Sequence, residues 1–272
     1  MNMFKKIKVQ LKHTKALYNI NILFAIESGS RLWGMADEKS DYDIRFVYNY
    51  RMSDYLHIDK KQDNITRMFE IDGEIKLDLV GFDIYKYLRL LRNANPNCIE
   101  WLLSDIVYYT DKDAVREMLN FARDTSNLWS LAKGYRGIAN NSVKDIKKEI
   151  QKQYETDDIT CVFPIKKLLY ALRGMMCGEY ILHKQDLPPV KFLNLIKEEF
   201  IPKEVRNQTH SLIMNKREGA KIISVGESEV LLNYLADHKE EKDLYKSILD
   251  KPREYNGCKE DWLNDIIMAE IV

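Results

Sequence analysis

Near residue 112 the chain changes period. Before it, short β-prone runs alternate with helical stretches. After it, apolar residues recur at helical spacing to the end. The early part reads as a helix over 4–19, a buried strand over 21–28 and a turn or short helix from Gly29 to Met35. A second strand follows over 42–49. Runs 65–71 and 74–81 flank Asp72-Gly73, a hairpin signal. Residues 83–94 form an amphipathic helix that Asn95-Pro96 stops, followed by a short helix over 97–103 and a strand over 106–109. From there the candidates are all helices: 112–123, 127–153, 162–182, 189–198, 202–217, 227–247 and 259–270. The fold expected is α+β: a small mixed sheet with helices, then an all-helical domain. The boundary is placed at residue 120, giving domains 1–120 and 121–272.

Composition narrows the function classes. The 42 Lys and Arg balance 42 Asp and Glu, so no basic excess marks a protein that coats nucleic acid without regard to sequence. Any nucleic-acid contact must come from a local patch. Cys98, Cys161, Cys177 and Cys258 stand at no zinc-ligand spacing and form no disulfide framework. Reduced thiols in a cytoplasmic protein are expected. The basic N-terminal stretch lacks the apolar region of a secretory signal, and no apolar run approaches membrane-spanning length, so no membrane partner is expected. The five histidines are scattered, with no Ser-His-Asp arrangement.

Chemistry concentrates where the first strand ends. Gly29 lets a phosphate approach the backbone closely, and Ser30 supplies a hydroxyl for its oxygens. Arg31 adds a charge-assisted contact. An ordinary strand-ending turn is the bland alternative. Ten positions beyond Ser30 begins the string Ser40-Asp41-Tyr42-Asp43, which opens the second strand. Period two puts Asp41 and Asp43 on one face and Tyr42 on the other. Adjacent carboxylates repel, and Mg²⁺ takes hard oxygen ligands together with substrate phosphates. An Asp-rich turn would explain Asp41 but not Asp43, because Asp is disfavoured in strands. Asp78 stands mid-strand among apolar residues, where a carboxylate is costly without a partner. Beside the 42–49 strand it would complete a site for two Mg²⁺ or Mn²⁺ ions and serve as general base. A salt bridge to Lys76 or Arg45 is the competing reading for Asp78.

Gly29-Ser30, ten residues, then Asp41-x-Asp43 and a later strand Asp resembles the catalytic signature of the DNA polymerase β nucleotidyltransferase superfamily. The longer string ESGSRLWGMADEKSDYDIRF, residues 27–46, is similar to the RlaP-like family of predicted RNA-repair nucleotidyltransferases. The likeness continues through residues 77–104, 166–176 and 187–192. It implies that Gly29 and Ser30 hold the nucleoside triphosphate, with Ser40 beside them, and that Asp41, Asp43 and Asp78 carry the metals. Arg45 departs from the superfamily, whose small members often have an aliphatic residue there.

In the helical part, Lys166, Tyr170 and Arg173 fall at i, i+4 and i+7 on one helix face, apart from the apolar face of Ile165, Leu168, Leu169, Leu172 and Met175. Lys166 and Arg173 would neutralise phosphate and Tyr170 would meet a base or ribose. A solvated face is the alternative. Lys133, Arg136, Lys144, Lys147, Lys148 and Lys152 are candidates for a groove wall along an RNA end, or simply a solvent face. The expectation is a metal-dependent transfer of NMP from an NTP to an acceptor hydroxyl, an RNA end first, with the helical domain covering the site. A protein or small-molecule hydroxyl and a non-catalytic nucleotide- or RNA-binding module are the rivals.

Overall fold

Strand β1 (Asn21–Glu27) is buried from Ile22 onward, as its unbroken apolar run requires. It lies near the middle of a five-stranded sheet ordered β3-β4-β2-β1-β5, with β2 at Tyr42–Asn49, β3 at Asn64–Ile71, β4 at Ile75–Asp83 and β5 at Val107–Thr110. Strands β2 and β4 run parallel and the other pairs antiparallel. This computed structural model describes residues 2–71, 75–155, 161–238, 249 and 259–271. The Asp72-Gly73 turn lies outside them, although β3 and β4 pair in hairpin register up to Ile71 opposite Ile75. Cys258 and the end of the 227–247 helix also lie outside.

The chain divides into two compact units. The first takes in Met1–Leu32, Lys39–Ser126 and Arg253–Val272, and the second Trp33–Glu38 and Asn127–Pro252. In the first, helix α1 (Met3–Tyr18) starts on Asn2, whose side chain accepts from the Lys5 N–H. Its Ile7 and Leu11 join Ile44, Phe46 and Tyr48 of β2 and Leu77 and Leu79 of β4 in one core. Those residues occupy one face of the sheet, so Asp43, Arg45 and Asp78 fall on the other by strand alternation. Helix α2 (Gly29–Trp33) leaves β1, and the short helix α3 (Met52–Tyr55) follows β2. On the second face, Tyr87 of α4 (Ile84–Arg92) packs on Phe24, and Trp101 of α5 (Pro96–Leu102) on Phe82. Helix α6 (Lys112–Thr125) follows β5.

The second unit is built on α7 (Leu128–Glu155) and α8 (Ile165–Lys184), which approach closely: a Cβ at Gly174 would come within 2.8 Å of the Tyr135 carbonyl. Around them stand α9 (Phe192–Leu195), α10 (Lys203–Arg217) and α11 (Glu229–Asp237). A three-residue ribbon, β6 (Val162–Pro164) with β7 (Ile222–Ser224), interrupts the helices. Runs this short carry no period, so the reading of 162–182 as helix overran the ribbon and α8 starts at Ile165. Helix 189–198 shrinks to the single turn of α9.

The last helix, α12 (Lys259–Ile271), belongs to the first unit. Trp262 packs edge-on against Phe121 with centroids 5.4 Å apart, Lys259 donates to the Thr125 carbonyl at 2.7 Å, and Asn49 of β2 donates to the Glu270 carbonyl at 3.1 Å.

Candidate active site

The parallel register sets Asp43 directly beside Asp78, with Tyr42 opposite Leu77 and Ile44 opposite Leu79. Two partly buried carboxylates thus share one face, Asp43 at the start of β2 and Asp78 midway along β4. Arg45, two residues along the same face, lies between them. Its Nη2 donates to Asp43 Oδ1 at 3.1 Å and to Asp78 Oδ2 at 3.0 Å, while Nη1 donates to the carbonyls of Ile44 and Asp78. The ion pair to Arg45, which the sequence offered as the competing explanation of Asp78, is therefore present.

Gly29 abuts this pair. Its φ is +61°, and a Cβ built there would fall on the carboxylate of Asp43. A side chain at this position would thus be both strained and obstructed. Ser28 donates its N–H to the Asp43 carbonyl at 2.8 Å, which ties the end of β1 to the start of β2. Ser30 follows in α2, partly exposed. Arg31 is anchored by backbone: its Nε donates to the Asp41 carbonyl at 3.1 Å and its Nη2 to that of Ser40. Its guanidinium also covers the Tyr42 ring at 3.6 Å. Arg31 thereby fixes the loop carrying Ser40 and Asp41. Asp41 itself is exposed just before β2, and its carboxylate accepts the Lys76 N–H at 3.2 Å. Tyr42 points away from the aspartates and packs against the core, as alternation requires.

Glu27 is the residue whose part the sequence left unread. It is fully buried at the end of β1. Its Oε1 accepts the Asp43 N–H at 2.8 Å, and its Oε2 accepts the Tyr108 hydroxyl at 2.5 Å. Burial pushes its carboxyl up to about 7 against the lowering pull of the Tyr108 and Asp43 hydrogen bonds. The signal available was a lone carboxylate closing an otherwise apolar strand.

Carboxylate oxygens and a side-chain-free backbone cradle are the donor chemistry of an Mg²⁺–triphosphate site. Among the described residues, however, no group of three or more His, Cys, Asp or Glu side chains is gathered around one point. Asp43 and Asp78 converge, and Asp41 turns toward the Lys76 backbone.

The second unit holds the other candidates. Arg173 is buried, donating to the Val190 carbonyl at 3.2 Å and lying over Trp33 at 4.4 Å. Trp33 in turn meets Tyr170 edge-on at 5.0 Å, and exposed Lys166 lies 5.5 Å from the Tyr170 ring. Trp33 is a packing anchor, and the face is only partly solvated. Of the basic residues on α7, Arg136 is buried and donates to the His238 carbonyl, whereas Lys133, Lys144, Lys147, Lys148 and Lys152 are exposed.

A mixed sheet that carries Gly-Ser after one strand, Asp-x-Asp entering the next and a third Asp on the strand beside it defines a nucleotidyltransferase of the polymerase-β type. The chain belongs to the RNA repair pathway DNA polymerase beta family, RlaP, which it matches over residues 3–255. It is 28% identical to the uncharacterized protein YcgL of Bacillus subtilis over 264 residues, covering 97% of this chain and 94% of that one. It is 29% identical over 195 residues to the uncharacterized protein MJ0002 of Methanocaldococcus jannaschii, covering 66% and 69%. A solved nucleotidyltransferase-like protein from Exiguobacterium sibiricum aligns over 98% of this chain and 89% of its own, at 12% identity and a TM-score of 0.35. No helix among the described residues is long and apolar enough to cross a membrane.

Proposed function

We propose that the protein transfers NMP from an NTP to the hydroxyl of an RNA end in the cytoplasm, in a reaction dependent on Mg²⁺ or Mn²⁺. The observation that carries this reading is the in-register pair of Asp43 and Asp78 next to Gly29, where any side chain would fall on the Asp43 carboxylate. The acceptor oxygen attacks the α-phosphorus, and a new P–O bond forms as the bond to the pyrophosphate oxygen breaks. Asp78 takes the hydroxyl proton, and pyrophosphate leaves. Gly29, Ser30 and Ser40 would cradle the triphosphate, with Arg31 adding positive charge beside it. Asp41, Asp43 and Asp78 would hold two divalent ions, which when bound neutralise charge on the attacking and leaving oxygens. Lys166 and Tyr170 offer a cation and a ring to a nucleotide, and Arg173 lies over Trp33, which meets Tyr170 edge-on.

The test offers α-labelled NTPs, Mg²⁺ or Mn²⁺ and a mixture of RNA ends to the purified protein. Label in RNase-sensitive product is expected. RNase-resistant label running with protein would move the acceptor to a protein hydroxyl. Absence of label in every acceptor, with the fold intact, would overturn the reading.

A further inference from the structure

We infer that Arg45 is a resident counter-cation which a divalent metal must displace, so that metal loading and release of Arg45 form one exchange. The inference rests on the metal-dependent reading of the same site. Asp43 and Asp78 face each other across paired positions of β2 and β4, with side chains 28% and 25% exposed. Two partly desolvated carboxylates held side by side require a positive charge. One nitrogen, Nη2 of Arg45, supplies it to both, and the guanidinium is fixed there by the Ile44 and Asp78 carbonyls. A metal held by Asp43 and Asp78 would compete with this nitrogen for their oxygens. The guanidinium cannot yield by losing a proton, because Arg stays charged at any accessible pH. It must therefore move. One guanidinium offsets only one of the two negative charges, so the site still attracts a divalent ion, but its apparent metal affinity is lowered by the Arg45 contacts that loading breaks.

The Arg45→Met variant tests this, since methionine keeps an unbranched apolar side chain on the strand while deleting the charge. Mn²⁺ binding, read by electron paramagnetic resonance of the free ion, is expected to tighten by about tenfold or more, the worth of roughly one charge-assisted hydrogen bond. In EDTA the variant should melt below the wild type, and Mn²⁺ should raise its Tm by more than it raises that of the wild type. Adding Asp43→Asn to the variant should abolish the tight site. Wild-type binding that depends on Asp43, with no tightening in Arg45→Met, overturns the exchange and leaves the metal site standing. Absence of Mn²⁺ binding in both folded proteins overturns both readings. If Arg45→Met does not fold, Arg45→Lys decides instead: a single ammonium cannot reproduce the forked contacts, so tightening supports the exchange and unchanged affinity overturns it.

Discussion

The backbone N–H of Asp43 ends on the buried carboxylate of Glu27, 2.8 Å away. Glu27 thus holds a site residue by its main chain, through a group whose own charge is expensive. Its folded pKa of about 7 lies above its ordinary value of 4.5, so the native state binds the extra proton between these two pH values. The contribution of Glu27 to stability is fully present below about 4.5 and is lost as pH rises through about 7, by about 3 kcal/mol in the limit. Glu27→Gln keeps an acceptor for Asp43 and offers its amide to the Tyr108 oxygen. Urea unfolding in EDTA from pH 4.5 to 7.5 should show this fall in the wild type and a shallower slope in the variant, where the raised Asp83 and Glu270 carboxyls remain. A variant that keeps the slope would clear Glu27 of responsibility.

Gly29→Ala should separate stability from transfer. The positive φ costs about 1–2 kcal/mol for a residue with a Cβ, a lowering of Tm by a few degrees. The new methyl also displaces the Asp43 carboxylate, and a shift of that kind costs about a hundredfold in rate. Denaturant melts and steady-state transfer measure the two effects. Unimpaired transfer would show that Asp43 can move without consequence.

Asp41 is exposed and makes its contact with a backbone N–H of β4, so Asp41→Asn should leave the unfolding free energy within about 0.5 kcal/mol of wild type. If Asp41 carries a metal, transfer should fall steeply all the same, because the charge stabilisation that the metal supplies is lost. Near-normal kcat/KM in Asp41→Asn would restrict the metal site to Asp43 and Asp78.

In the second unit, Lys216 pairs with Asp37 at 2.8 Å, the two side chains being 11% and 7% exposed. In Lys216→Met the more distant and exposed Lys221, at 3.7 Å, still faces the carboxylate. Breaking a buried pair from one side costs about 3 kcal/mol. A calorimetric Tm unchanged from wild type would show that Lys221 compensates.

What the sequence made legible depended on period and on misplaced charge. β1, β2 and β4 were found because an unbroken apolar run or an alternation spans them. Asp43 and Asp78 stood out because carboxylates do not belong in strands. Their adjacency needed the parallel pairing of β2 with β4, which no local pattern encodes. The same pairing decides what Arg45 touches, so the sequence could offer it only as one of two possible partners of Asp78. Glu27 hid at a strand end, where a polar residue looks ordinary. The β6–β7 ribbon is three residues a side, too short for any period, and nothing in α12 announces which sheet it returns to.

That return has a consequence in time. The chain is made from its N-terminus, yet α12 closes on Asn49 and Phe121, which were synthesised long before it. At about 5–20 residues per second, the stretch from the end of α6 to α12 takes on the order of ten seconds to emerge. Through that interval the sheet bearing Asp43 and Asp78 waits with one side of α6 uncovered, while the whole of the second unit is built. The unit that carries Asp43 and Asp78 is thus the first to begin emerging and the last to be complete.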